Sequence, residues 1–342
     1  MLKKLCTVGL IWGAICVLSL GTLQAAKKKK SKGHHGGGKA HIAFLDPKKA
    51  GIDFQIQGEY VGTVSDEKVG FQIIALGDGR FRLVAYPGGL PGDGWDGVQK
   101  YTADGKLKDG GKVAHFECDE GVADVKDGII KGVSYTGEGE VEFKAKKVLR
   151  KSPTLGAKPP AGAIVLFDGT NVDAWKNGRI VEGNLLDVGT QTKQDFGAVH
   201  LHLEFRTPFM PYARGQARGN SGVYVAGQYE VQVLDSFGLE GESNECGGIY
   251  KIARPLINMC FPPLSWQTYD IDFTPAKFDA NGKKVANAVI TVRHNGVVIH
   301  DELELPHPTP GGVRHDEKPG PLFLQNHGNP VRYRNIWVIL KK

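Results

Sequence analysis

The sequence predicts an all-β chain of two domains, the second and larger one a sandwich or jelly roll. Three observations carry this. Short runs rich in β-branched and aromatic residues alternate with Gly/Asp turns along the chain, and apolar residues at helical spacing are nearly absent. The stretch RKSPTLGAKPPAGA at 150–163 then breaks the strand pattern with prolines, glycines and basic residues, which sets a smaller domain at 40–150, a linker at 151–163 and a larger domain at 164–342.

The chain opens as an export signal. Lys3 and Lys4 precede an apolar run from Leu5 to Leu23 that ends in the small residues Ala25 and Ala26, so a signal peptide over 1–25 is expected, with cleavage after Ala25 and a secreted or periplasmic product. The alternative is an uncleaved anchor, because the run approaches the roughly 20 apolar residues a membrane span needs. That is the one membrane contact expected. Neither Cys6 nor Cys16 lies in a lipoprotein pattern. Residues 26–39, with KKKKSKGHHGGGK at 27–39, contain too little apolar surface to offset their ordering entropy and read as a solvated tether.

Charge excludes one class of partner. The chain has 43 basic and 37 acidic residues, but eight of the lysines lie in the signal and the tether, leaving 35 against 37 in the body. No basic stripe remains for a nucleic acid to follow. Beyond the signal, cysteines stand at Cys118, Cys246 and Cys260. Cys118 reads as a small buried hydrophobe. Cys246 and Cys260 are near enough in sequence to close a short loop, yet spacing does not establish the Cα approach a bridge demands, so bridge and free thiols both stay open.

In the smaller domain, GEYVGTV, GFQIIAL, RFRLVAYP, KVAHFEC and EVEFKAKKVL read as strands separated by turns such as GDG at 77–79 and DGK at 104–106. GGLPGDGWDG at 88–97 is Gly-rich, but no helix start follows to supply an anion site. It reads as a loop bearing Trp95, either as a sugar platform or as a core residue.

In the larger domain the polar residues fall on alternate strand positions, which marks one face of a sheet. In VHLHLEFR at 199–206, Val199, Leu201, Leu203 and Phe205 face a core, and His200, His202, Glu204 and Arg206 line the other side. Two histidines and an acid at this spacing are candidates for a divalent metal, His200, His202 and Glu204, against an ordinary solvated face. In GNSGVYVAGQYEVQVLDS at 219–236, Glu230 and Gln232 share a face, the small residues Gly219, Ser221 and Gly222 permit close approach of a ligand, and Asp235 lies on the opposite parity unless a bulge intervenes. Near the end, Gln325 and His327 come together before the turn at Gly328 and Asn329.

The segments LFDG at 166–169 with Trp175, LEFR at 203–206, GNSGVYV at 219–225, YEVQVLDS at 229–236, GGIY at 247–250, WQTYDI at 266–271, NGVVI at 295–299 and LQNHGNPVRYRNIWV at 324–338 occur in one order across 164–342. Together they resemble the 3-keto-disaccharide hydrolases, long catalogued as a domain of unknown function. The resemblance implies a concanavalin A-like jelly roll and a carbohydrate substrate whose C3 hydroxyl is already a ketone. Such a ketone acidifies the C2 proton, so a base can remove it, the group at C1 can leave and water can add; the site needs a base, a donor and a charge-stabilising group. Glu230 and His327 are the expected base and leaving-group partner, in either order. Arg206, Asn220, Gln232, Tyr224, Lys251 and Gln325 are the expected substrate contacts, and a divalent metal is a further way to hold the enolate. Two long loops, 253–266 and 301–320, depart from the shorter family pattern and are placed beside the site, as lids or as fillers. A non-catalytic carbohydrate-binding or cell-surface module is the alternative, since jelly rolls serve lectins as readily as enzymes.

Overall fold

The computed structural model describes residues 38–137 and 139–341; the expected signal peptide and residues 26–37 of the tether lie outside the described residues. The end of the tether is held, since Lys39 opens a short 3-10 turn (Lys39–His41) and its Nζ lies 2.6 Å from Asp78 Oδ1.

The smaller domain is a meander of eight antiparallel strands: β1 (Gly58–Val64), β2 (Glu67–Gly77), β3 (Arg80–Pro87), β4 (Tyr101–Lys108), β5 (Val113–Cys118), β6 (Gly121–Lys126), β7 (Ile129–Thr136) and β8 (Gly139–Val148). Each pairs with the next and β8 returns to β1, so the sheet closes into a barrel and leaves no edge. Tight reversals such as Asp78–Gly79, both at positive φ, supply the handedness two-residue hairpins require. One end is plugged by a short helix, α1 (Gly51–Ile56), whose Phe54 meets Phe209 of the larger domain edge-on at 5.3 Å.

The larger domain is a sandwich of two antiparallel sheets, the jelly-roll architecture expected. Its strands are β9 (Ile164–Phe167), β10 (Trp175–Lys176), β11 (Ile180–Val181), β12 (Leu185–Leu186), β13 (Thr190–Phe196), β14 (Val199–Arg206), β15 (Ser221–Val225), β16 (Tyr229–Val233), β17 (Gln267–Thr274), β18 (Lys277–Phe278), β19 (Lys284–Ala286), β20 (Ala288–His294), β21 (Val297–Leu305), β22 (Gly320–Leu324) and β23 (Arg332–Leu340). One sheet runs β10-β13-β22-β15-β16; the other runs β11-β12-β23-β14-β17-β20-β21, with β9 also on β23, and β18 and β19 form a separate two-stranded ribbon. Val223, Val231, Val233 and Leu324 from the first sheet meet Leu201, Leu203, Phe205, Ile271 and Val338 from the second in one core. The outward side chains Ile74, Val84 and Tyr86 of the barrel join that same core, and Trp95 packs edge-on against Tyr86 at 4.9 Å. The Gly-rich loop therefore serves the domain interface rather than presenting its indole freely.

The linker is a strap, not a solvated spacer. Ser152 Oγ lies 2.6 Å from Thr268 Oγ1, Thr154 donates to Asp270, the Gly156 amide donates to Glu204, and the Ala157 carbonyl accepts from Asn335. These contacts cover the outer face of β14, β17 and β23.

Candidate active site

The candidate site lies on the outer face of the first sheet, where β15 and β16 form a hairpin. Their register pairs Tyr224 with Glu230 and Gly222 with Gln232, so all four point away from the valines that enter the core. Gly222 is required here, because a Cβ at that position would lie 2.2 Å from Glu230 Oε1. Its bare backbone lets the carboxylate lean across the hairpin into a buried position.

Burial raises the Glu230 carboxyl to about 7, and the Tyr224 hydroxyl restrains the shift. Such a group is half ionised at neutral pH, the condition a general base or acid needs. The Tyr224 hydroxyl lies 2.8 Å from both Glu230 Oε2 and the Pro310 carbonyl oxygen. When Glu230 is ionised the phenol donates to it; when Glu230 is protonated it can donate to the phenol, which then turns its own proton to Pro310. Both protonation states are therefore accommodated without moving a heavy atom. Burial and the adjacent Glu230 charge push the phenol well above its usual range, so it stays a neutral relay.

Amide side chains surround this pair. Gln325 Nε2 donates to Tyr224 at 3.2 Å, and Gln216 Oε1 accepts from Asn220 Nδ2 at 3.2 Å and from Gln232 Nε2 at 3.4 Å. The remaining oxygens, Asn220 Oδ1, Gln232 Oε1 and Gln325 Oε1, are buried without a hydrogen-bond partner among the described residues. An unmade hydrogen bond at a buried acceptor costs about 1–3 kcal/mol. Three such acceptors around one carboxyl fit a ligand rich in hydroxyl donors.

Of the residues expected from sequence, Asn220, Tyr224, Glu230, Gln232 and Gln325 come together here. His327 stands exposed in the loop two residues past Gln325, and Lys251 stands exposed on the turn beside β16 at positive φ, its Nζ 5.5 Å from the Tyr250 ring centre. Arg206 is elsewhere: it lies on the outer face of β14 in the other sheet, bonded to Glu182 and stacked near Trp266. Asp235 is also committed, to Arg218 at 2.7 Å.

The expected metal candidates do not fit a metal. Their shared face is as the alternation indicated, but the strap buries His202 and Glu204, while His200 stays half-buried. His202 Nδ1 lies 2.6 Å from Asp270, His200 Nδ1 lies 3.1 Å from Asp272, and Glu204 receives Arg334 and Asn335 as well as the Gly156 amide. Burial alone would lift the Glu204 carboxyl, but His202, Asn335, Gly156 and Arg334 outweigh it and hold it at about 2. No group of three metal-ligating side chains occurs among the described residues.

The loops also divide. In 301–320, Thr309 Oγ1 accepts the Glu230 amide, Pro310 meets Tyr224, and a Cβ at Gly311 would lie 2.7 Å from the Tyr224 hydroxyl oxygen, so this loop borders the site. In 253–266, Asn258, Met259, Cys260 and Phe261 are buried at the end that meets the barrel, so it fills rather than covers. Cys246 and Cys260 are free, buried thiols, with Cys246 Sγ 3.2 Å from the Tyr269 hydroxyl. Gln216 and Thr309 escaped the sequence reading because they lie on turns, where strand parity says nothing.

Residues 162–339 match the family described as the 3-keto-alpha-glucoside-1,2-lyase-like domain. A Parabacteroides distasonis protein provisionally titled a glycosyl hydrolase is 34% identical, with 53% of this chain and 85% of that one covered and a TM-score of 0.48. A second structure from the same organism, under the same title, is 15% identical over 53% of this chain and 95% of its own, with a TM-score of 0.40. No curated protein matches the chain.

Proposed function

The chain belongs to the 3-keto-alpha-glucoside-1,2-lyase-like family, and from that membership we propose that it cleaves the glycosidic bond of sugars carrying a C3 ketone. The observation that carries this reading is the Glu230–Tyr224 pair, a carboxyl held at about 7 beside a neutral phenol. Glu230 takes the C2 proton, and the electron pair forms an enolate conjugated to the C3 oxygen. The C1–O bond then breaks, its electrons leave with the aglycone oxygen, and that oxygen takes a proton. Water adds across the resulting C1=C2 bond, so the net change is hydrolysis. Asn220, Gln232 and Gln325 accept hydrogen bonds from the sugar hydroxyls, which supplies the partners their buried oxygens lack. His327 and Lys251, exposed at the margin, are the side chains to test for protonation of the leaving group. His200, His202 and Glu204 take no part.

The test offers the protein 3-keto-trehalose, 3-keto-sucrose and a 3-keto-glucoside beside their unoxidised parents and follows release of the leaving group. Cleavage of a keto substrate alone supports the proposal, and a Glu230→Gln variant that cleaves it at the normal rate overturns the role of Glu230. Sugar binding without turnover would move the reading to a carbohydrate-binding module. Action outside the cytoplasm belongs to the same proposal, and the amino terminus of the protein recovered from its native host checks it, with Ala26 expected.

A further inference from the structure

The barrel encloses a cavity of about 500 Å³ that lies away from the Glu230 face. Its wall is built from the inward residues of every strand, and their burial is graded along the axis. At the plugged end Tyr60, Ile73, Phe81, Ala114, Val125, Ile130 and Ala145 are fully buried and fill the bore. At the other end the inward residues Val64, Ala85, Cys118, Ser134, Val141 and Phe143 are only half-buried, so solvent reaches them through an open mouth.

The open half is hollow because its inward positions are small. Ala85, Ala103, Ala123 and Gly121 face the bore, and the aromatic rings lie along the wall rather than across it. A Cβ on Gly132 would meet the Phe143 ring at 2.6 Å, and one on Gly105 would meet the Phe116 ring at 2.5 Å; Phe71 and Phe143 stack within 12° of parallel. Protein interiors ordinarily pack with few voids larger than a water molecule. An eight-stranded bore can be filled by side chains or can hold one small ligand. This one is filled at one end and hollow at the other.

We propose that the open half of the barrel binds a small, neutral, apolar molecule of roughly 12 to 25 non-hydrogen atoms, the size a cavity of this order encloses. The lining selects the apolar body. The mouth selects against an anionic head, because Glu67 and Glu120 border it and Lys68, which borders it too, is engaged by Asp93 at 3.1 Å. The outer wall carries Arg80, Arg82, Asp104, Lys106, Lys131 and Lys144, so the barrel stands in water with an apolar inside, the reverse of a membrane pore.

The test titrates the full chain with N-phenyl-1-naphthylamine, a neutral dye that brightens in apolar surroundings, and displaces it with 1-dodecanol or dodecanoate. One saturable site is expected, with dodecanol displacing roughly tenfold better than dodecanoate and a bulky Ala103→Phe wall variant binding roughly tenfold more weakly. Absence of a saturable site, or equal dye affinity in a folded Ala103→Phe protein, overturns the proposal, and equal displacement by dodecanoate overturns the neutral head. If Ala103→Phe does not fold, alkylation of Cys118 in the wild-type chain, followed by peptide mapping, decides instead. Saturating dodecanol is expected to slow it several-fold, and an unchanged rate overturns the proposal.

Discussion

Two buried glutamates in one domain are driven in opposite directions by what surrounds them. Glu230 has burial against it and one phenol in its favour, so its carboxyl rises to about 7; Glu204 has burial against it and four hydrogen-bonding partners, so it falls to about 2. The consequences differ in sign. Folding favours the protonated form of Glu230, so its ionisation weakens the fold as pH climbs from the ordinary carboxyl range through about 7. Glu204 instead contributes stability that is present above the unfolded value and lost as pH falls through about 2, on the order of 3 kcal/mol in all. For Glu230 the catalytic reading predicts that kcat/KM on a keto substrate increases with pH through about 7. Tyr224→Phe removes the bond that restrains the shift and should move that limb upward. Glu230→Gln should lose about 10²–10⁴ in rate while melting no earlier than the parent at pH 8, which separates lost chemistry from lost structure.

At the scale of elements, the strap decides what a face becomes. Glu204→Gln takes away the carboxylate on which Arg334, Asn335 and the Gly156 amide converge, while His202 keeps Asp270 and Arg334 keeps solvent, so the loss is that of charge-assisted hydrogen bonds, about 1.5–3 kcal/mol; a lower denaturation midpoint with unaltered turnover is expected. Gly156 sits at φ +78 with open space around its Cα, so Gly156→Ala should cost only about 1–2 kcal/mol, read from the same denaturation curve. Strand parity was legible in the sequence: the alternation in 199–206 and in 229–233 correctly divides core from outer face. What lies over each face was not, because parity is a local property of 3.3 Å steps and the strap comes from residues nearly fifty positions away. The same limit hid three of the eight barrel strands. YTADGKLK, GVADVK and IIKGVSYT carry small or charged residues where a conventional strand carries bulk, and the hollow bore is the reason they can. The other five strands carry more apolar residues and were readable from that content alone.

Across the whole molecule, the two domains complete one another. Phe209 of the sandwich plugs the barrel, Arg218 donates to the Ala75 carbonyl, and Arg150 binds Glu59, which is bonded through Gln72 to Tyr86. A single cooperative melting transition is therefore expected by calorimetry, and Phe209→Ala should lower it as a unit by about 3–5 kcal/mol rather than split it in two. The linker adds a rule about chain length. Stretches between domains are ordinarily where extra residues are absorbed with least effect, but here the permissive sites are confined to the exposed run from Lys158 to Gly162, while Ser152 to Ala157 are held by their partners across the sheet. A short glycine-serine insert after Pro160 should be silent, whereas the same insert after Thr154 would throw the Gly156 amide out of step with Glu204. The distance between the domains is thus written in the register of six residues, and any graft or lengthening must enter downstream of them.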